Sequence, residues 1–203
     1  KIAAEKGIIV SCHCEDRSYA KKAAEAREKG KFKKAEKLLR KAEDIATKRN
    51  LEIALETACR IHIAHCSTKK SLSYVAKAKK QEAFPGQISV EVTPHHACLS
   101  MNMKGLEKEF VNPPLRREKD RKAVVRALQN GLVDAIATDH APHTMEDKKK
   151  GACGFSGIET AFSLCYTELV KKGLISLSRL SELMSEKPAK ILGLETGSLK
   201  DSW

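Results

Sequence analysis

Two histidines and one aspartate have the most specific chemistry in this sequence. Neutral imidazole is the commonest metal ligand in proteins, and His13 and His65 could share one metal ion. Asp139 could join them, because a carboxylate beside a metal can both bind it and move a proton. Catalytic zinc normally takes three protein ligands, so Asp139, another strand-end group or residues outside this sequence must complete the site. The alternative for Asp139 is a turn, since Thr-Asp before a proline-containing loop is ordinary turn chemistry.

Asn112 and His143 lie in segments that proline stiffens. Asn112 precedes two prolines that fix the local backbone and could aim its amide into a cleft, although such a segment is more often only a loop. His143 follows a proline in the loop after Asp139. His62 lies three residues before His65 on the same predicted strand, so we expect it on the opposite face and leave it out of the site.

The candidate residues follow short apolar segments that are typical of buried strands. We predict strands at about residues 7–13, 60–65, 88–93 and 133–139. Between and after them we predict a long basic helical region ending near residue 58, and helices at about residues 69–81, 118–129 and 157–172. Polar groups therefore stand at the ends of four successive strands.

Strands that alternate with helices predict right-handed βαβ crossovers and a parallel sheet. In barrels and open sheets of this class, active sites are built at the carboxyl ends of the strands. Because all four predicted strands end in possible ligands or acid–base groups, we expect these groups to meet at one edge of the sheet.

Length and composition fit one substantial domain or two small ones. The 203 residues are 41% hydrophobic and 32% charged, which argues against a disordered, fibrous or membrane-embedded chain. No apolar segment approaches the ~20 residues of a membrane span, so no membrane partner is expected. Seven scattered cysteines fit a reducing compartment, and the expected location is cytoplasmic. The sequence begins without methionine or a secretory signal, and we expect it to be a fragment.

The net charge of +12 raises the question of nucleic-acid binding. Residues 20–50 contain 12 Lys and Arg against 5 Asp and Glu, a net +7, in a segment with helical composition. Aromatic residues make up only 4% of the chain, and no recognisable binding module accompanies the basic residues. We therefore expect a solvated helix face and no nucleic-acid partner.

Six motifs occur in the order and approximate spacing seen in dihydroorotases of the long bacterial type, and the chain resembles that family throughout. The motifs are His13-Cys-Glu-Asp16, His65-Cys-Ser-Thr68, Thr93-Pro-His-His96, Asn112-Pro-Pro-Leu-Arg116, Thr138-Asp-His-Ala-Pro-His143 and Gly157-Ile-Glu-Thr160. The fourth and fifth are the most specific, because together at a separation of about twenty-five residues they would rarely arise by chance.

The resemblance implies a (β/α)8 TIM-type barrel of the amidohydrolase superfamily with one or two zinc ions. The implied reaction is the reversible cyclisation of N-carbamoyl-L-aspartate to L-dihydroorotate in pyrimidine biosynthesis. In the family, the histidines that match His13 and His65 bind metal. The aspartate that matches Asp139 contacts metal and serves as the acid and base.

The resemblance also implies a substrate-binding side. The family residues that match Asn112 and His143 contact the substrate, and the loop at Phe155, Ser156 and Gly157 places backbone amides near it. Ser156 stands where the family usually has proline, which frees the local backbone and makes this loop less preorganised.

Only about the last four βα units of the barrel have counterparts in residues 1–203, whereas a closed barrel needs eight. The family's amino-terminal His-x-His pair, its strand-four carbamylated lysine or aspartate, and its flanking β domain are absent. We expect this chain to be inactive alone and to form a homo-oligomer, because a half-barrel leaves strand edges and an apolar face uncovered.

Two alternatives remain open. The chain could belong to another cyclic amidohydrolase, such as a dihydropyrimidinase or an allantoinase, because these enzymes use the same kind of metal centre. The motif from Thr138 to His143 favours a dihydroorotase. A metal-free dihydroorotase-like chain could instead be a structural partner of aspartate transcarbamoylase. Retention of His13, His65 and Asp139 argues against that loss of function.

Overall fold

A four-stranded parallel sheet organises the chain. The computed structural model describes residues 1–106 and 111–199. The strands are β1 (Val10–Cys12), β2 (Ile61–Ile63), β3 (Ile88–Val92) and β4 (Ala135–Ile136). They lie side by side in chain order and every neighbouring pair is parallel, so each connection crosses over the sheet. This confirms the predicted partial (β/α) barrel.

Helices fill the connections between the strands. Among the described residues they are α1 (Ile2–Glu5), α2 (Arg17–Glu28), α3 (Phe32–Thr57), α4 (Lys69–Ala78), α5 (Pro94–Cys98), α6 (Glu118–Gln129), α7 (Met145–Lys149), α8 (Ala161–Cys165), α9 (Leu177–Ser181) and α10 (Lys187–Leu192). A 3₁₀ turn at Lys79–Gln81 and π-helical turns at Tyr166–Val170 and Glu182–Glu186 extend three of them.

The two faces of the sheet have different characters. Apolar side chains alternate along the strands and pack with the helices in the main core, which includes Ile61, Ile63, Val90 and Val92. Strand register places Ser11, His62 and Ser89 in one row across β1, β2 and β3. The alternation of a pleated strand sends this polar row to the other face.

Several helices begin where a side chain caps the backbone. Asp16 accepts from the amides of residues 18 and 19 at the start of α2. Thr68 and Thr93 accept from the third amide of α4 and α5, and Pro94 occupies the first turn of α5. These caps follow directly after strand ends, so they fix the direction in which the chain leaves the sheet.

Some boundaries differ from the sequence prediction. The basic helical region is two helices, because the chain turns at Gly30 with φ +66° before α3 begins. The predicted helix at 157–172 begins only at Ala161, after a segment in which Phe155 pairs with His140 and Ala141 in the loop that follows β4. The helix at 118–129 has the predicted bounds, and all four strands lie inside their predicted ranges but are shorter.

The cysteines are free thiols rather than cross-links. Five of the seven are buried and two, Cys12 and Cys153, are half-buried. In residues 1–106 and 111–199, no helix is both long enough and apolar enough to cross a membrane.

Candidate metal centre and substrate side

Two histidine rings meet at the carboxyl end of the sheet. His13 follows β1 and His65 follows β2. Nδ1 of His13 lies 2.8 Å from Nε2 of His65. The rings are edge-on, with centroids 4.7 Å apart and an interplanar angle of 73°. Because β1 and β2 are neighbours in a parallel sheet, residues 52 positions apart in sequence converge on one point.

The two rings have different affinities for a proton. The neighbouring Glu15 carboxylate, with Oε2 3.9 Å from Nε2 of His13, raises the pKa of His13 above its ordinary value. Burial and then the charge of His13 lower the pKa of His65. The lowered pKa of His65 favours the neutral form of the buried ring, and the contact requires that one of the two facing nitrogens carries the hydrogen.

Asp139 lies near both rings. Its charge acts to raise the pKa of His13 and of His65. It follows β4 and adopts φ +49°, in the left-handed region that non-glycine residues seldom occupy, and His65 does likewise with φ +35°. Such backbone strain is concentrated at functional sites.

The donor set fits zinc in kind. Two neutral imidazoles and a carboxylate are ordinary zinc ligands, at about 2.0–2.1 Å from the metal, which places tetrahedral ligand atoms roughly 3.3 Å apart. At 2.8 Å the two ring nitrogens are in direct hydrogen-bond contact, so they must separate by about half an ångström to share an ion. Among the described residues, no three His, Cys, Asp or Glu side chains already surround a common point.

Asn112 reaches the same region through Glu15. Its Nδ2 donates to Oε2 of Glu15 at 3.1 Å, and the interactions with His13 and then Asn112 lower the pKa of Glu15 against the effect of burial. Asn112 and His13 thus share a carboxylate that the sequence analysis did not assign.

The predicted substrate loop lies against the segment that follows Asp139. The amide of Ala141 donates to the carbonyl oxygen of Phe155 at 3.0 Å, and the amide of Ile158 donates to Nδ1 of His140 at 3.2 Å. A Cβ on Gly154, which has φ +149°, would lie 2.5 Å from the carbonyl oxygen of Ala141. This close approach requires glycine, and it brings Phe155, Ser156 and Gly157 to the carboxyl end of β4.

His143 braces this loop in the present structure. Its ring is exposed, and Nε2 donates to the carbonyl oxygen of Cys153 at 3.0 Å. Phe155 packs edge-on against His95, with centroids 5.1 Å apart. His95 is a neutral buried ring, since burial lowers its pKa to about 2, and its Nε2 has no hydrogen-bond partner among the described residues.

A buried ion pair holds the segment after His65. The carboxylate of Glu43, on α3, accepts from the amides of Ser67 and Thr68 at 2.9 Å each. It also accepts from the Ser67 hydroxyl and from Nη2 of Arg116, the latter at 2.9 Å. The side chains of Glu43 and Arg116 are only 5% and 2% exposed, so this pair is part of the core.

The structure thus brings the predicted residues together in two groups. His13, His65 and Asp139 lie near one another, and Asn112 joins them through Glu15, which the sequence analysis missed. The group at 155–157 and His143 form a loop beside Asp139.

The sequence analysis also underrated His62. As expected, it does not join the His13–His65 pair, because its Nδ1 contacts Ser89 Oγ at 2.8 Å and its Nε2 contacts Glu91 Oε2 at 3.0 Å. Glu91, however, also binds the backbone of His65. The available signal was the pair of polar residues, Ser89 and Glu91, in a parallel strand that should be almost wholly apolar.

Comparison with known proteins agrees with this architecture. The model of the amidohydrolase family matches residues 1–201. The chain is 39% identical to a dihydroorotase from Clostridium botulinum over 199 residues, which are 98% of this chain and 45% of that protein. It is also 39% identical to a dihydroorotase from Bacillus cytotoxicus, over 99% of this chain and 48% of that protein. The chain therefore spans about half the length of the curated relatives it matches.

Among solved structures, the chain is similar to the L-hydantoinase (dihydropyrimidinase) of Arthrobacter aurescens. The TM-score is 0.89 at 25% identity, over 99% of this chain and 47% of that one. The D-hydantoinase (dihydropyrimidinase) of a Thermus species gives a TM-score of 0.87 at 27% identity, over 97% and 46% of the two chains. The parallel strands, the histidines at their carboxyl ends and the family match together show that this chain belongs to the amidohydrolase family.

Proposed function

We propose that this chain supplies part of the active site of a zinc-dependent dihydroorotase. The reaction would be the reversible cyclisation of N-carbamoyl-L-aspartate to L-dihydroorotate, a step of pyrimidine biosynthesis in the cytoplasm. The observation that carries this proposal is the 2.8 Å contact between ring nitrogens of His13 and His65 at the carboxyl ends of adjacent strands. The 39% identity to dihydroorotases over almost the whole chain supports this reaction among those of the family.

His13, His65 and Asp139 would hold the zinc. Burial suits His65 to this role, because it lowers the pKa of the ring and only an unprotonated ring nitrogen can bind a metal. When bound, zinc supplies Lewis-acid activation of the amide carbonyl and of the attacking water. Whether one or two ions bind depends on ligands beyond these three residues.

Asp139 would move the proton. During ring opening its carboxylate accepts a proton from the attacking water and delivers it to the departing amide nitrogen, and ring closure reverses these steps. Its position after β4, beside the two imidazoles, places the carboxylate within the electrostatic reach of both.

Asn112, His143 and the loop at 155–157 would bind the substrate. Asn112 now donates to Glu15, and His143 to the carbonyl oxygen of Cys153. His143 could exchange this carbonyl oxygen for a substrate carboxylate, because a charge-assisted hydrogen bond is stronger than a neutral one, and Asn112 could exchange one carboxylate for another. The close contact of Gly154 with the Asp139 segment would keep the loop beside the reacting groups.

We infer that assembly accompanies this activity. β1 is an edge strand of the sheet, and Val10 is 38% exposed. An uncovered strand edge favours pairing, which supports the expected homo-oligomer. The chain alone would lack activity, since a closed barrel needs eight βα units.

A hydantoin-hydrolysing enzyme is the second candidate, because the solved structures with TM-scores of 0.89 and 0.87 are hydantoinases. A chimera separates the two. This chain would replace the matching segment of the Clostridium botulinum dihydroorotase, and hydrolysis of dihydroorotate and of hydantoin would be measured in parallel.

We expect the chimera to hydrolyse dihydroorotate and to lose that activity with Asp139→Asn, which keeps the shape of the side chain and removes its basicity. Asp147→Asn is the matched control, because the carboxylate of Asp147 forms the capping box of the surface helix α7. Hydrolysis of hydantoin without hydrolysis of dihydroorotate would select the second candidate.

A further inference from the structure

A carboxylate on β3 connects the polar row of the sheet to the backbone of His65. Oε2 of Glu91 lies 3.0 Å from Nε2 of His62, and Oε1 accepts from the amide of His65 at 3.2 Å. The side chain of Glu91 is 17% exposed. Both carboxylate oxygens therefore have partners, and one partner belongs to the candidate metal-binding residue.

His62 and Ser89 fix the orientation of this carboxylate. Nε2–H of His62 donates to the Glu91 carboxylate, and Nδ1 of the same ring is hydrogen-bonded to the hydroxyl of Ser89 at 2.8 Å. The residue His62 is 9% exposed, and a ring held at both nitrogens in such a place cannot turn freely. Glu91 is thus locked by a side chain that the sequence analysis had set aside.

Glu91 holds both peptide groups that flank the His65 side chain. Its carboxylate binds the amide of His65, and its backbone carbonyl oxygen accepts from the amide of Cys66 at 2.9 Å. Between these two bonds His65 has φ +35°, a conformation that is unfavourable for a non-glycine residue and persists only where its surroundings impose it. In this conformation Nε2 of the imidazole lies 2.8 Å from Nδ1 of His13.

We propose that Glu91 is a positioning residue for His65, held in place by His62 and Ser89, and that it sets the affinity of the His13–His65 pair for a metal ion. The inference rests on the proposed function of that pair. Carboxylates that orient metal ligands commonly change metal affinity by about 10–100-fold when they are removed.

The test uses the 203-residue chain with Glu91→Met and Glu91→Gln. Methionine keeps the length of the side chain and removes both acceptors. Glutamine keeps an acceptor for the His65 amide, and its NH2 group can donate to Nε2 of His62 when that ring takes the tautomer with hydrogen on Nδ1, so it serves as the conservative rescue. The matched control is Glu82→Met, because Oε1 of Glu82 also accepts a backbone amide of β3, that of Ile88 at 2.8 Å, but at the opposite end of the strand.

Two readouts are measured for each variant. The first is zinc affinity by competition with a chromophoric chelator. The second is the NMR amide-proton shift of His65, together with the nitrogen shifts of its ring. We expect Glu91→Met to weaken zinc binding about tenfold or more and to move both His65 signals. Glu91→Gln should stay within about threefold of the unmodified chain, and Glu82→Met should leave affinity and signals unchanged.

Unchanged affinity in Glu91→Met would overturn the proposal, as would an equal loss in Glu82→Met, because the latter means a general effect on stability. If the unmodified chain binds no zinc, the proposed metal site fails. The His65 signals then decide about Glu91 alone, and signals that do not move in Glu91→Met reject its positioning role.

Discussion

Replacing Glu43 by glutamine should destabilise the fold by about 3 kcal/mol. The variant removes the charge that neutralises Arg116, whose side chain is 2% exposed and whose Nη1 has no hydrogen-bond partner among the described residues. Breaking a buried ion pair from one side costs about 3–5 kcal/mol, and glutamine falls at the low end because its amide oxygen still accepts from Ser67 and Thr68. For a chain of this length the loss corresponds to a fall in Tm of roughly 6–12 °C.

The assay is urea unfolding followed by circular dichroism, with Glu52→Gln as the control. Glu52 lies on the same helix, α3, and pairs with Lys48, but both side chains are 56% exposed. An exposed i,i+4 pair contributes about 0.3–0.5 kcal/mol. A loss in Glu43→Gln no larger than that in Glu52→Gln would refute the reasoning.

Acid should remove the same contribution. Burial acts to raise the pKa of Glu43, but Arg116 and the hydrogen bonds from Ser67 and Thr68 outweigh it, and the net pKa is lowered. A carboxyl group whose pKa is lower in the folded state stabilises the fold at pH values above its unfolded-state pKa of about 4.3. This contribution is lost as the pH falls through the folded-state pKa. The stability difference between the unmodified chain and Glu43→Gln should therefore be constant from about pH 8 to pH 5 and shrink below about pH 4. A difference that does not shrink at all between about pH 5 and the lowest pH at which the chain stays folded would contradict this assignment.

Three further predictions concern the site and its surroundings. Gly154→Ala should destabilise the loop by about 1–3 kcal/mol, because φ of Gly154 is +149° and the new Cβ would lie 2.5 Å from a backbone oxygen. Proteolytic cleavage in this loop should become faster, and an unchanged cleavage rate would count against the close approach. Thr93→Ala should lower the free energy of unfolding by about 1–2 kcal/mol, measured by thermal unfolding, because it removes the cap of α5 and the hydrogen bond to His96. Thr93→Ser should lower it little, and equal losses in the two variants would exclude the cap. Ellman's reagent should label Cys12 and Cys153 first under native conditions and all seven thiols after unfolding, and rapid native labelling of more than two would show that the core is open.

Much of the fold was predictable, because the hydrophobic periodicity and the end signals of each helix and strand lie within that element's own sequence. The helix at Glu118–Gln129 combines acidic residues in its first turn with Gly131 after its end, and its predicted bounds are correct. The late start of α8 was not predictable, since the preceding segment pairs through Phe155 with His140 and Ala141, in the loop after β4.

The sequence predicts those site residues that directly follow an apolar strand segment. His13 and His65 were found because each directly follows an apolar segment, and a parallel sheet brings neighbouring strand ends together. Glu15 and Glu91 were missed because their roles arise from contacts across 97 and 26 residues of sequence, to Asn112 and His65. The positive φ of His65 also breaks the alternation from which the orientation of a side chain is predicted.

Zinc binding to the purified, metal-free chain decides whether His13 and His65 form a metal site. Isothermal titration calorimetry would compare the unmodified chain with His13→Ala and His65→Ala. His143→Ala is the control, since His143 is exposed and its ring is hydrogen-bonded to the carbonyl oxygen of Cys153. We expect equal zinc affinity for the unmodified chain and His143→Ala, and at least about tenfold weaker binding for each of the other two. Zinc binding that survives the combined loss of His13 and His65 would contradict the proposed centre.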